Sequence, residues 1–154
     1  MTGLMYTASF SAASQAGSRD LFNIIVPSPD MVILHSIRLG QRALEGDADA
    51  EMLEVSIARS AAPGAGTANT PSPHMNGAPA ASSTVVTNAT PGTPTVTILF
   101  DVFNLQAGWL YLPTPEERLV ISSLAAQDTL LITVESPSVA LEWSGSMTFE
   151  EILG

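Results

Sequence analysis

The stretch Val139-Ala140-Leu141-Glu142-Trp143-Ser144-Gly145-Ser146-Met147-Thr148-Phe149-Glu150-Glu151 decides the fold, because it alternates over its whole length. Val139, Leu141, Trp143, Gly145, Met147, Phe149 and Glu151 hold the odd positions, and Ala140, Glu142, Ser144, Ser146, Thr148 and Glu150 lie between them. A helix would scatter these apolar groups around its circumference, whereas a strand turns them to one face. The reading is one long strand with Val139, Leu141, Trp143, Met147 and Phe149 toward a core. Gly145 is its expected bulge or bend.

The same period recurs elsewhere. Leu130, Ile132 and Val134 are expected inward with Leu131, Thr133 and Glu135 outward. Val96, Ile98, Phe100 and Val102 are expected inward with Thr95, Thr97, Leu99 and Asp101 outward, and Leu53, Val55 and Ile57 alternate with Glu54, Ser56 and Ala58. Further strands are expected over Met31 to Leu39, Leu21 to Val26, Gly108 to Leu112, Leu119 to Ser122 and around Tyr6 to Phe10. About nine short strands separated by Pro, Gly and Asp turns predict an all-β fold, a single antiparallel β-sandwich of jelly-roll type. Thr114-Pro115-Glu116-Glu117 has the form of a helix start, and the β-branched Val120 and Ile121 limit it to one turn.

The 154 residues fit one domain, 1–154, large enough to bury a core. Of the 34 residues from 60 to 93, all but His74, Met75, Val85 and Val86 are Ala, Pro, Gly, Ser, Thr or Asn, and none is charged. This composition reads as a long low-complexity loop inserted in the sandwich. The expectation is that 60–93, together with the N-terminal segment 1–18, is ordered by other subunits; lying along its own sandwich is the alternative.

Fifteen acids against five arginines, with no lysine, give a net charge of -10. The acidity is uneven: three arginines face two acids up to Leu44, and two face thirteen from Glu45 onward. Such a surface repels phosphate, so neither nucleic acid nor an anionic membrane is an expected partner. The absence of cysteine excludes a disulfide scaffold and a thiol nucleophile. No signal peptide is read at the N-terminus.

Candidate chemistry is sparse. His35 lies in a strand and His74 in the loop, and neither is accompanied by a triad pattern or a nucleophile elbow. Adjacent Glu116-Glu117 and Glu150-Glu151 point to opposite faces, so they do not converge as acid and base. The alternating acids Glu45, Asp47, Asp49 and Glu51 lack calcium-loop spacing and read as a solvated turn, leaving open whether it takes a cation. The reading is no enzyme, no cofactor and no resident metal. Trp109 and Tyr111 share one face of a strand, with Leu110 and Leu112 on the other. If the leucines are core, the aromatics form an exposed platform for a sugar ring or a protein; if the aromatics are core, the platform disappears. Candidate interface residues are therefore Trp109, Tyr111, His74, Met75, Val85 and Val86.

Three stretches carry a resemblance: Leu34-His35-Ser36-Ile37-Arg38-Leu39-Gly40-Gln41, the run from Phe100 through Trp109-Leu110-Tyr111-Leu112-Pro113-Thr114-Pro115 to Arg118, and Ser144 to Ile152. From about Val32 to Ile152 the chain resembles small structural proteins of tailed bacteriophages and prophages. The resemblance implies a virion component of head-decoration, or cement, type, made in the host cytoplasm and carried on the capsid exterior. Its implied partners are the major capsid protein and neighbouring copies of itself. A tail or connector component, and a glycan-binding adhesin using Trp109 and Tyr111, are the alternatives.

Overall fold

Leu141–Ile152 forms the strand that the alternation predicts, in a computed structural model that describes residues 3–42, 51–123 and 127–154. Leu141, Trp143, Met147, Phe149 and Glu151 are buried, with partly exposed residues between them. Val139, expected in the same row, precedes the strand and is exposed. Gly145 sits opposite Phe10, and a Cβ there would come within 3.0 Å of the Phe10 ring and 2.9 Å of Leu39 Cδ2. The glycine leaves room for neighbouring core side chains; the bulge lies on the facing strand, between Phe10 and Ala13.

In chain order the strands are β1 (Leu4–Gln15), β2 (Arg19–Ile25), β3 (Met31–Gln41), β4 (Met52–Ser60), β5 (Thr67–Asn69), β6 (Ser72–Pro73), β7 (Thr84–Ala89), β8 (Val96–Asn104), β9 (Trp109–Tyr111), β10 (Val120–Ser122), β11 (Thr129–Val134) and β12 (Leu141–Ile152). The one helical turn among the described residues, Pro115–Glu117, is a 3-10 turn, within the one-turn limit expected from the β-branched residues that follow. One six-stranded sheet runs β10-β3-β12-β1-β6, with β9 also on β3, and the other runs β5-β7-β2-β11-β4-β8. All pairings are antiparallel. Strands β1 to β4 alternate between the sheets, β8 to β12 do so again with β9 and β10 together, and β1 pairs with β12. That is jelly-roll connectivity with 61–95 inserted between β4 and β8.

The core lies between the sheets around Trp143, Tyr6, Phe22 and Phe149. At its centre a buried polar pair is satisfied: Trp143 Nε1 donates to Gln15 Oε1, and Gln15 Nε2 donates to the carbonyls of Val134 (3.2 Å) and Glu135 (2.9 Å).

The insertion takes the alternative arrangement, lying along its own sandwich. Strand β7 pairs with β2, β5 with β7, and β6 with β1, so the segment widens both sheets of its own domain. Val85 and Ala89 are fully buried. Three buried carboxylates supply what its small side chains cannot. Glu151 accepts the amides of Ser83 (2.7 Å) and Ser82 (2.9 Å), Asp30 accepts the Ser82 hydroxyl, and Asp20 accepts the Gly92 amide at 2.8 Å. Leu131, expected to face water, is buried, and a Cβ on Gly92 would lie 2.9 Å from its Cδ1. Within the N-terminal segment, β1 is likewise an internal strand, between β12 and β6.

Candidate functional site

Strand β8 is where the fold leaves apolar surface uncovered. It pairs with β4 through Leu53↔Phe103, Val55↔Asp101 and Ile57↔Leu99, which turns the odd residues toward the inner face. The expected orientation is therefore inverted. Val102 (54%), Phe100 (64%), Ile98 (37%) and Val96 (47%) are exposed, while Leu99 packs against the core. Period two is satisfied by either row of this apolar run, and the pairing with β4 selects the row that contains Asp101. Asp101 is itself exposed at this edge, and Trp109 Nε1 donates to its Oδ2 at 2.9 Å. The Val102 amide donates to its Oδ1 at 2.8 Å.

From β8 the chain turns through Asn104 to Gly108, with Ala107 N donating to Asn104 O at 3.0 Å. Gly108 has φ +73, and a Cβ there would stand 2.6 Å from the Leu39 carbonyl, so the turn requires glycine. Strand β9 then joins the opposite sheet, pairing Trp109↔Leu39, Leu110↔Arg38 and Tyr111↔Ile37. Because β8 and β9 belong to different sheets, a cleft of about 420 Å³ opens between them, lined by Ile98, Leu99, Asp101, Trp109, Tyr111, Glu117 and Leu119 among others.

Of the two arrangements the alternation allows, the structure has the aromatics inside. Trp109 is buried, Tyr111 is half-buried with its ring centroid 6.1 Å from that of Trp109, and Leu110 (55%) and Leu112 (66%) are exposed. The indole face offers no platform for a sugar. Tyr111 keeps its phenolic proton above the usual range, first through burial and then through the charge of Glu117. Tyr6 is shifted the same way by burial and by Glu151, and its hydroxyl donates to Pro79 O at 3.1 Å. The unfolded chain ionises its tyrosines near pH 10, before the folded chain does, so above that pH the unfolded state binds fewer protons. The contribution of these tyrosines to stability is expected to be level below about pH 10 and to fall as pH rises through the raised native values. Urea midpoints against pH should show the fall, less steeply in Tyr6→Phe; equal slopes would mean that Tyr6 does not contribute to it.

The insertion's candidates separate. Val85 is a core residue, so it cannot be an interface residue, and Val86 is half-buried. Met75 (58%) and His74 are exposed; His74 Nε2 lies 2.7 Å from Thr7 Oγ1, which lies 3.0 Å from Thr148 Oγ1. His35 meets Glu150 Oε2 at 3.2 Å across β3 and β12. These are polar contacts on a sheet face, with no donor pair aimed at a developing oxyanion among them. No group of three metal-binding side chains occurs among the described residues. The acidic turn read from Glu45 lies outside the described residues except for Glu51, whose carboxylate accepts the Ser138 amide at 2.9 Å.

Sequence reasoning missed Asp101, Phe100, Val102, Leu110 and Leu112. The signal was the even-numbered apolar row of β8, assigned to the wrong side. The chain matches no protein-family model, no curated protein and no solved structure.

Proposed function

We propose that this chain is a non-catalytic assembly module, a head-decoration or cement protein of a tailed-phage virion, whose described surface offers an apolar ridge for building into a particle. One observation carries the assembly reading: Phe100, Val102 and Ile98 on β8 and Leu110 and Leu112 at β9 stand exposed around the open edge of an otherwise acidic molecule. The virion assignment rests on the resemblance of 32–152 to phage structural proteins. The inserted segment, which packs on its own domain, lends it no support. Burial of Trp109 removes the feature that would favour a glycan-binding adhesin.

Its test is addition of the purified protein to heads that lack it. The protein should co-sediment with the heads and raise their resistance to heat or osmotic shock; protein left entirely in the supernatant would defeat the cement reading. Duplex DNA at physiological salt should not be retained above background, because fifteen acids against five arginines leave few phosphate-neutralising groups. Salt-sensitive micromolar retention would contradict the surface described above.

A further inference from the structure

We infer that the cleft between β8 and β9 receives an arginine side chain presented by a partner protein, with Asp101 and Glu117 as its counter-charges. The inference rests on the assembly reading above and names what the partner brings to this site.

The chemistry of the cleft is one-sided. Ile98, Leu99, Tyr111 and Leu119 give it apolar walls, and among the described residues the charged side chains in its lining are Asp101 and Glu117 alone. Both are exposed, and neither is neutralised from within the chain. All five arginines lie among the described residues, where the ion pairs are His35 with Glu150 and Arg42 with Glu142. Arg118, next to Glu117 in the chain, buries its Nε without a partner and makes no ion pair with either carboxylate. The carboxylate oxygens retain capacity. Asp101 accepts one N–H at each oxygen, from Trp109 at 2.9 Å and from the Val102 amide at 2.8 Å, and a carboxylate offers about four lone-pair sites. Glu117 Oε2 accepts the Thr114 hydroxyl at 3.1 Å, and its Oε1 has no partner among the described residues. Burial first, and then the charge of Glu117, hold the Tyr111 phenol above its usual range, so the field of that carboxylate reaches the aromatic wall.

Size and hydration select the cation. A cleft of about 420 Å³ is at the small end of ligand sites, roughly 300–1,000 Å³, and admits a side chain rather than a folded segment. Apolar walls suit the aliphatic stem and the planar, weakly hydrated guanidinium of arginine, which stacks on rings and forks onto carboxylates; the ammonium of lysine holds its water more strongly. No third His, Cys, Asp or Glu joins these two carboxylates among the described residues, so a metal ion would lack ligands here. The net charge of -10 draws cations toward the molecule.

The two indoles supply the test. Trp109 N–H is bonded to Asp101 at the cleft and Trp143 N–H to Gln15 in the core, so in a nitrogen–proton correlation spectrum of the full chain the first reports on the cleft and the second is an internal control. Titration with N-acetyl-arginine methylamide should move the Trp109 signal with a Kd of about 1 mM and leave Trp143 in place. Glu117→Gln should weaken binding by about fivefold, whereas Glu116→Gln, the same loss of charge one residue outside the lining, should not change it. The lysine analogue should bind more weakly, the neutral citrulline analogue should not bind, and added NaCl should loosen the complex. An unmoved Trp109 signal with probe in large excess over that Kd, equal binding of the lysine or citrulline analogue, or an equal effect of Glu116→Gln would overturn the proposal. If the probe fails while the wild-type protein still co-sediments with heads, the assignment of the cleft falls and the cement reading stands. If the probe binds as expected and the protein stays in the supernatant, the cleft assignment is supported and the cement reading falls.

Discussion

Glu151→Ala should release the inserted segment from the sandwich and lower stability by on the order of 3 kcal/mol, since two amide bonds to a buried carboxylate are each worth about 1.5–3 kcal/mol. The bonds from Ser83 (2.7 Å) and Ser82 (2.9 Å) hold the chain where it enters β7. Truncation leaves both amides without an acceptor in a place where Glu151 is only 2% exposed. In the isolated wild-type protein the segment from 74 to 93 should resist protease as well as the sandwich does. In Glu151→Ala it should be cut first, with the cut sites read by mass spectrometry. Glu151→Gln keeps one acceptor oxygen but turns an amide NH₂ toward a backbone N–H, so it should lie between the two. A loss below about 0.5 kcal/mol with the segment still protected would mean that the β7 ladder alone holds it.

Trp143→Ala carries the second large effect, about 3–5 kcal/mol, as expected when a large aromatic is removed from a packed interior. Trp143 is fully buried, its ring centroid is 5.9 Å from that of Phe103, and its indole N–H is taken by Gln15. The substitution opens a cavity between the sheets and leaves Gln15, itself fully buried, with an unused acceptor. Trp143→Phe keeps most of the apolar volume and loses the hydrogen bond, so its cost separates the polar part from the cavity. Leu141→Ala, on the same face, should cost about 2–5 kcal/mol. Urea unfolding with an unchanged m-value is the measurement, and a Trp143→Ala loss under about 1 kcal/mol would show that this row is not the centre of the core.

Short-range alternation was sufficient for the strands whose two faces differ in polarity. Between Leu141 and Phe149 every second residue is apolar and its neighbours are small or acidic, so one register alone buries the apolar row, and the strand, its phase and the all-β class are legible. Trp109, Tyr111, Leu110 and Leu112 were legible as two opposed pairs but not as inside and outside, since both rows are apolar. Strand β8 has the same ambiguity, and there only its pairing with β4, together with an indole on the other sheet to receive Asp101, turns Phe100 and Val102 outward. The insertion shows the limit most plainly. Its composition holds too little apolar area to order itself, and the groups that order it, Asp20, Asp30 and Glu151, lie tens of residues away in the chain. The sequence by itself thus determined the class of the fold and the core face of its longest strands. Tertiary pairing decided which apolar row meets water and what holds the insertion, because both depend on partners that only folding brings within hydrogen-bond reach.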